Sequence, residues 1–187
     1  KWFKNFLGKS RAFAEVICMG EYERVFHTLE PVYDEKSRIL ILGSFPSVKS
    51  RETKFYYGLP QNRFWKLLLA LFDEGEATRE FIDIQDKQEF LKRHHIALWD
   101  VIASCEIKGS SDSSIRNVKA NDINQILKVA PITQIITNGA TANRLYMKYC
   151  FPDTQRVAIQ VPSTSPANAV YGFKRLLEAW EKVLNTQ

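Results

Sequence analysis

The chain has 187 residues, a net charge of +5 and a sequence pI near 9.1. A chain of this length buries roughly 70% of its unfolded surface, enough for one domain that folds without disulfides or metal, and its basic balance favours a polyanionic partner. Cys18, Cys105 and Cys150 are odd in number and lack C-x-x-C spacing, which excludes a disulfide framework and a structural zinc motif and fits a reducing, cytoplasmic setting.

Residues 1–18 carry Trp2, Phe3, Phe6, Leu7, Phe13, Val16 and Ile17 at roughly helical spacing, with Lys1, Lys4, Lys9 and Arg11 between them. The segment is a basic amphipathic stretch, read as an N-terminal extension to one domain spanning 19–187. The continuous apolar run Arg38–Leu42 predicts a central parallel strand buried on both faces. Asn62 to Phe72 predicts a helix with Phe64, Trp65, Leu68, Leu71 and Phe72 on or near one face, and Gln85 to His94 a second, more polar helix. Ile96–Ile102 is the second strand, followed by a serine-rich polar loop from Ser104 to Asn117. Asn121 or Asp122 caps a helix that runs through Lys128, with Pro131 after its end. Gln134–Thr137 is the third strand, and Asn138-Gly139 turns into a helix over 140–149. Arg156–Val161 is the fourth strand. The polar loop 162–169 then leads into a last helix with Phe173, Leu176, Leu177, Trp180 and Leu184 on one face.

Four short strands separated by helices imply an α/β domain: a four-stranded parallel sheet covered on both sides, in three α/β/α layers. Sites in open sheets of this kind form beyond the carboxyl ends of the strands, so the loops at 43–62, 103–117, 138–140 and 162–169 are expected to gather there. No apolar run approaches the ~20 residues of a membrane span, so no membrane partner is expected. There is no G-x-G-x-x-G, no phosphate-binding G-x-x-x-x-G-K-[ST] and no H-E-x-x-H. The adjacent His94 and His95 point apart on a helix or strand, and their place at a helix C-terminus, which favours cations, accounts for them without a metal. No metal or redox cofactor is implied.

The loop Gly43 to Trp65 carries the most information. It leaves a buried strand, carries serines, cations and the adjacent Tyr56 and Tyr57, and closes on Asn62 at the mouth of an apolar helix. Such a loop holds a phosphate backbone, stacks a planar ring and sets one neutral amide beside it. Ser47, Lys49, Ser50 and Arg51 suit phosphate contacts without sequence readout, or are ordinary solvated residues. Tyr57 is a stacking platform or a core tyrosine. Asn62 is a catalytic amide or a helix N-cap, two roles that are compatible. Ser104 and Cys105, just after the second strand, are candidate linings of a base pocket.

The ends of this loop, Gly43-Ser44-Phe45-Pro46-Ser47 and Asn62-Arg63-Phe64-Trp65, resemble the first motif of the mismatch-specific G·T/U glycosylases, which begins G-I-N-P-G and ends N-R-F-W. The resemblance is nearer to the hypoxanthine-DNA (deoxyinosine) glycosylase branch of the uracil-DNA glycosylase superfamily. That branch carries G-[ST]-F-P-S, then Y-Y-G-x-P-x-N-R-F-W, and later P-S-T-S-P-A-N, here Pro162 to Asn168. Leu98-Trp99-Asp100-Val101-Ile102 and Gly109-Ser110-Ser111-Asp112 are similar to it as well.

The resemblance implies a monomeric, monofunctional enzyme that hydrolyses the base–sugar bond of deaminated adenine in DNA. It implies Asn62 as the catalytic residue and Tyr57 stacking on an extruded base, in a pocket with Gly43, Ser44, Phe45 and Ser163. Phe45 stands where most uracil-processing relatives have Asp or Asn and is unable to orient water. Ser163 replaces a catalytic His or Asn, and Ala167 replaces a bulkier wedge. Ser165 and Asn168 are expected at the DNA, and Arg63 either at the DNA or in an internal pairing. The alternatives are a mismatch-specific or broad-range uracil glycosylase and, in another class, a non-catalytic module that senses damaged bases.

Overall fold

The computed structural model describes residues 22–72, 80–108 and 112–184. The extension at 1–18 and the motif residues Gly109, Ser110 and Ser111 lie outside them. The first half holds β1 (Glu23–Phe26), β2 (Ile39–Gly43), α1 (Val48–Glu52), α2 (Phe64–Phe72) and α3 (Ile84–Arg93). The middle holds β3 (Ile96–Asp100), β4 (Ile102–Ile107), β5 (Arg116–Ala120) and α4 (Asn124–Leu127). The last third holds β6 (Gln134–Asn138), α5 (Ala140–Tyr149), α6 (Phe151–Thr154), β7 (Ala158–Val161) and α7 (Phe173–Leu184).

The four expected strands form one parallel sheet in the order β3-β2-β6-β7. All five residues of β2 are buried. Successive side chains of a strand point to opposite faces, so both faces of the sheet are covered, as an α/β/α stack requires. Leu176, Trp180 and Leu184 recur every fourth residue on α7 and are buried. The Trp180 ring meets Phe64 of α2 edge to face with centroids 6.1 Å apart, and its Nε1–H donates to Pro162 O at 2.9 Å. The helix that closes the core is thereby fastened to the loop that follows β7.

Register places the chemistry. Gly43 ends β2 opposite Asp100 at the end of β3, and Asn138 ends β6 opposite Val161 at the end of β7. Parallel pairing therefore brings Gly43, Asp100, Asn138 and the loop after Val161 to one rim of the sheet.

Two expectations need correction. The run Ile96–Ile102 is not one strand: it breaks at Val101, where the chain leaves the parallel sheet. Val101 N–H bonds to Gly43 O at 2.9 Å, and Asn121 Nδ2 bridges the break by donating to Asp100 O and Ile102 O. The Ser104–Asn117 segment is not all loop: Ser104 to Ile107 belong to β4 and Arg116 and Asn117 to β5, and these strands join β1 in a second, antiparallel sheet of order β1-β4-β5. β5 reads as loop because its residues, Arg-Asn-Val-Lys-Ala, are exposed or half-buried and its pairing with β4 shifts register twice.

Candidate active site

A cavity of about 370 Å³ opens at the rim where the strands end. It is lined by the first loop from Gly43 to Val48 with Ser50, Arg51, Tyr56, Tyr57 and Asn62, by Asp100, Ile107 and Asn138, and by Ser163, Thr164, Ser165 and Ala167. The two motif loops, a hundred residues apart in the chain, thus face each other across one cavity.

The first loop is folded on itself. Ser47 caps α1, its Oγ accepting from Ser50 N–H at 3.1 Å. Ser50 is buried, lies 3.0 Å from Ser47 Oγ and accepts from Gly58 N–H. This corrects the expectation of a phosphate contact at Ser50: its hydroxyl closes the loop instead. Lys49 is exposed, pairs with Glu52 and stands outside the cavity lining. Arg51 lines the cavity, donates to Pro46 O at 3.0 Å and holds its guanidinium 5.7 Å from the buried Phe45 ring. Tyr57 takes a left-handed φ of 53°, which a non-glycine residue holds only when its surroundings impose it. Its ring stacks on Phe64, centroids 3.9 Å apart.

Asp100 lines the cavity and is paired with a side chain behind the lining. His27, just after β1, brings Nε2 to 3.0 Å from Asp100 Oδ2. The two side chains are 4% and 6% exposed. Leu29 N–H donates to His27 Nδ1 at 3.2 Å, so Nδ1 carries no proton and Nε2–H is the donor to the carboxylate. The other oxygen of Asp100 leans over Gly43: a β-carbon there would lie 2.2 Å from Asp100 Oδ1 and 3.1 Å from the Tyr57 hydroxyl. Only glycine leaves room for the carboxylate at the cavity floor. Burial first, and then the charge of Asp100, push the Tyr56 hydroxyl far above its ordinary pKa. It stays protonated and donates to Glu30 O at 2.8 Å.

The second loop is held by Arg63. Its Nε donates to Thr164 O at 3.2 Å, Nη2 to Ser165 O at 2.7 Å and Asn168 O at 3.1 Å, and Nη1 to Tyr171 O. Arg63 is therefore a clamp on backbone carbonyls, so of its two expected roles the internal pairing is the one seen. Asn168 is likewise turned inward, its Nδ2 donating to Ser163 O at 2.9 Å. Ser163 and Ser165 line the cavity, and Ser163 Oγ accepts from Ser165 N–H. Gly139, at a φ of 100°, lets Ser163 pass where a β-carbon would lie 2.8 Å from Ser163 Cβ. Ser104 is buried in β4, accepts from Arg24 Nη2 at 3.4 Å and does not line the cavity, again contrary to expectation.

Asn62 lines the cavity, half-buried. Its Oδ1 accepts from Phe64 N–H at 3.0 Å and from the Thr164 hydroxyl at 2.9 Å. No group of three or more His, Cys, Asp or Glu residues able to hold a metal occurs among the described residues, and none of their helices is long and apolar enough to cross a membrane.

An α/β sheet with a cavity at its strand ends, aromatic rings on one wall and hydrogen-bonding groups at the floor and mouth defines a site for a small planar ring. Over residues 30–184 the sequence matches the model of the uracil DNA glycosylase superfamily. The chain belongs to that superfamily. It is 35% identical over 156 residues to the hypoxanthine DNA glycosylase of Methanosarcina acetivorans, covering 81% of this chain and 93% of the relative. It is 37% identical over 110 residues to the hypoxanthine DNA glycosylase of Methanosarcina barkeri, covering 58% of this chain and 68% of that protein. A solution NMR structure of a candidate uracil DNA glycosylase from Methanosarcina acetivorans superposes with a TM-score of 0.69 at 33% identity, over 84% of this chain and 95% of that one.

Proposed function

We propose that this chain is a monofunctional DNA glycosylase that hydrolyses the base–sugar bond of deoxyinosine and releases hypoxanthine. The observation that carries the reading is the buried Asp100 carboxylate at the cavity floor. A nucleotide turned out of the duplex keeps its sugar at the mouth, tied to the phosphates, and sends the far edge of its base to the floor. Asp100 Oδ2 is engaged by the donor nitrogen of His27, so Oδ1 is the acceptor left for that edge. Deamination turns the N1 lone pair of adenine into an N–H beside a carbonyl. Hypoxanthine therefore donates to Oδ1, whereas adenine presents a lone pair to it. Leaving a buried acceptor unmatched costs about 1–3 kcal/mol, roughly a factor of 10–100 against adenine.

Tyr57, backed by Phe64, and Phe45 form the aromatic walls for the purine. Ser47 and Arg51 at the rim, with Lys49 beside them, suit the flanking phosphates. Uracil offers a similar N–H and carbonyl edge. The choice of hypoxanthine follows from Phe45, which replaces the polar group of the uracil-processing relatives, and from the names of the two Methanosarcina relatives. No lysine lines the cavity among the described residues, so no imine with the sugar is drawn and the abasic strand is left uncut. The partner is DNA carrying a deaminated base, met by one protomer.

The test is base release under single-turnover conditions from duplexes that carry deoxyinosine, N1-methyldeoxyinosine, deoxyuridine or deoxyadenosine. Release of hypoxanthine with rejection of the N1-methyl base and of adenine is expected. Release of uracil alone contradicts the substrate, and tight binding of inosine DNA without release contradicts the enzyme.

A further inference from the structure

The amide of Asn62 is fixed in one orientation by hydrogen bonds whose directions are all determined. A backbone N–H only donates, so the Asn62 atom 3.0 Å from Phe64 N is oxygen. The Thr164 hydroxyl reaches the same oxygen at 2.9 Å. Asn138 is fixed in the same way, its Oδ1 accepting from Thr164 N–H at 2.9 Å. Its Nδ2–H then donates to Thr164 Oγ1, also at 2.9 Å. The protons therefore run one way, from Asn138 Nδ2 to Thr164 Oγ1 and from Thr164 Oγ1 to Asn62 Oδ1. Thr164 is fully buried and Asn138 is 9% exposed. An amide oxygen has two lone pairs, and both of those on Asn62 are taken. The Asn62 NH2 group has no protein acceptor among the described residues and belongs to a side chain that lines the cavity.

We propose that Asn62 acts as a hydrogen-bond donor to the departing base rather than as an acceptor for the attacking water, and that Asn138 and Thr164 are positioning residues that impose this role. The proposal rests on the glycosylase reading above. In that reaction the C1′–N9 bond breaks and its electron pair leaves with hypoxanthine. The oxygen of water bonds to C1′, one water proton passes to solvent, and the base anion takes a proton from solvent. An amide whose oxygen is saturated has no lone pair to draw a proton from water. If its N–H donated to the water oxygen, it would occupy one of the two lone pairs and draw electron density from the nucleophile, which lowers its reactivity. The same N–H set against a ring nitrogen of the purine stabilises the negative charge that develops there, without transferring a proton.

The test compares single-turnover release from a deoxyinosine duplex across variants. Asn62→Asp still accepts from Phe64 N–H and Thr164 but puts oxygen where the NH2 stood. It is expected to lose about 100-fold or more, as much as Asn62→Ala. Retention of near wild-type rate by Asn62→Asp overturns the donor role. Thr164→Val is expected to lose about 10–100-fold in rate with DNA affinity nearly unchanged, and Thr164→Ser to restore most of it. An unchanged rate in Thr164→Val overturns the positioning role. The side-chain amide resonances of Asn62 read the relay without any substrate: they are expected to be sharp in the wild type and shifted and broadened in Thr164→Val. Unchanged resonances overturn the relay, whereas a wild type that releases no hypoxanthine overturns only the glycosylase reading.

Discussion

His27 Nε2 donates to Asp100 Oδ2 across 3.0 Å, and neither side chain is open to solvent. The bond holds Oδ2 on His27 and leaves Oδ1 over Gly43, because the imidazole has one proton to give and Leu29 N–H holds its other nitrogen. It also dictates what an amide would do at position 100. In Asp100→Asn the donor His27 selects the amide oxygen, so NH2 is turned toward the base. That NH2 opposes the N1–H of hypoxanthine, and release is expected to fall about 10–100-fold. Adding His27→Ala frees the amide to flip and is expected to recover part of the loss. Single-turnover rates of the single and double variants check this; a double variant slower than Asp100→Asn alone contradicts the pairing.

Gly43 and Asp100 share the cavity floor so closely that a β-carbon at 43 would lie 2.2 Å from Oδ1. Gly43→Ala is expected to displace the carboxylate and the Tyr57 hydroxyl. Because displacing groups that hold the base by about 1 Å misaligns the reacting centre, the expected loss of rate is roughly 100-fold. Gly43 is the last residue of an otherwise well-packed strand, so thermal melting of the variant is expected to stay within a few degrees of the wild type. Melting together with rates distinguishes a spoiled floor from a spoiled fold.

Arg63 and Arg51 are expected to separate stability from DNA binding. Arg63 holds carbonyls of Thr164, Ser165, Asn168 and Tyr171. Arg63→Ala leaves several partly buried acceptors unmatched and is expected to cost about 3 kcal/mol or more, a fall of roughly 6–12 °C in Tm. Arg51→Ala is expected to spare Tm and to lower the slope of log affinity against log salt by about 1, the signature of one lost phosphate contact. A lower salt slope with an unchanged Tm in Arg63→Ala contradicts the clamp.

Much of the fold was legible because the strands of the parallel sheet are unbroken apolar runs, as in Ile39–Leu42, and α7 repeats its buried residues at helical spacing. The antiparallel sheet was not legible, because β5 carries Arg116, Asn117 and Lys119 on a half-exposed ribbon. That sheet is what delivers His27. The motif loops place Asn62, Tyr57 and Phe45 at the cavity, but composition alone does not say whether a polar residue faces a ligand or its own backbone. Arg63, Ser50 and Asn168 have the chemistry of DNA contacts and turn inward, since loops crossing a strand-end rim leave many carbonyls and N–H groups to satisfy. Asp100 lay in a stretch already singled out. Its partner is 73 residues away, so only the folded chain shows the pair.

Burial raises the Cys150 thiol from an ordinary value of 9.0 to about 12, with Asp153 and Asp122 adding to the shift. The folded state holds this proton after the unfolded chain has released it. The stabilisation is complete below pH 9 and is lost as pH climbs from there toward about 12. Burial also raises Tyr56 and Tyr146, which act in the same direction. Tm is expected to fall with rising pH above 9, and Cys150→Ala to fall less steeply. Equal slopes for the two proteins contradict the assignment to Cys150.

The central claim is that a buried acceptor at the cavity floor selects hypoxanthine over adenine through the N1–H that deamination creates. Single-turnover base release from a duplex with one deoxyinosine, set beside the same duplex with N1-methyldeoxyinosine, tests it most directly. Release of hypoxanthine with no measurable release of the N1-methyl base is the predicted result; equal release of both contradicts it.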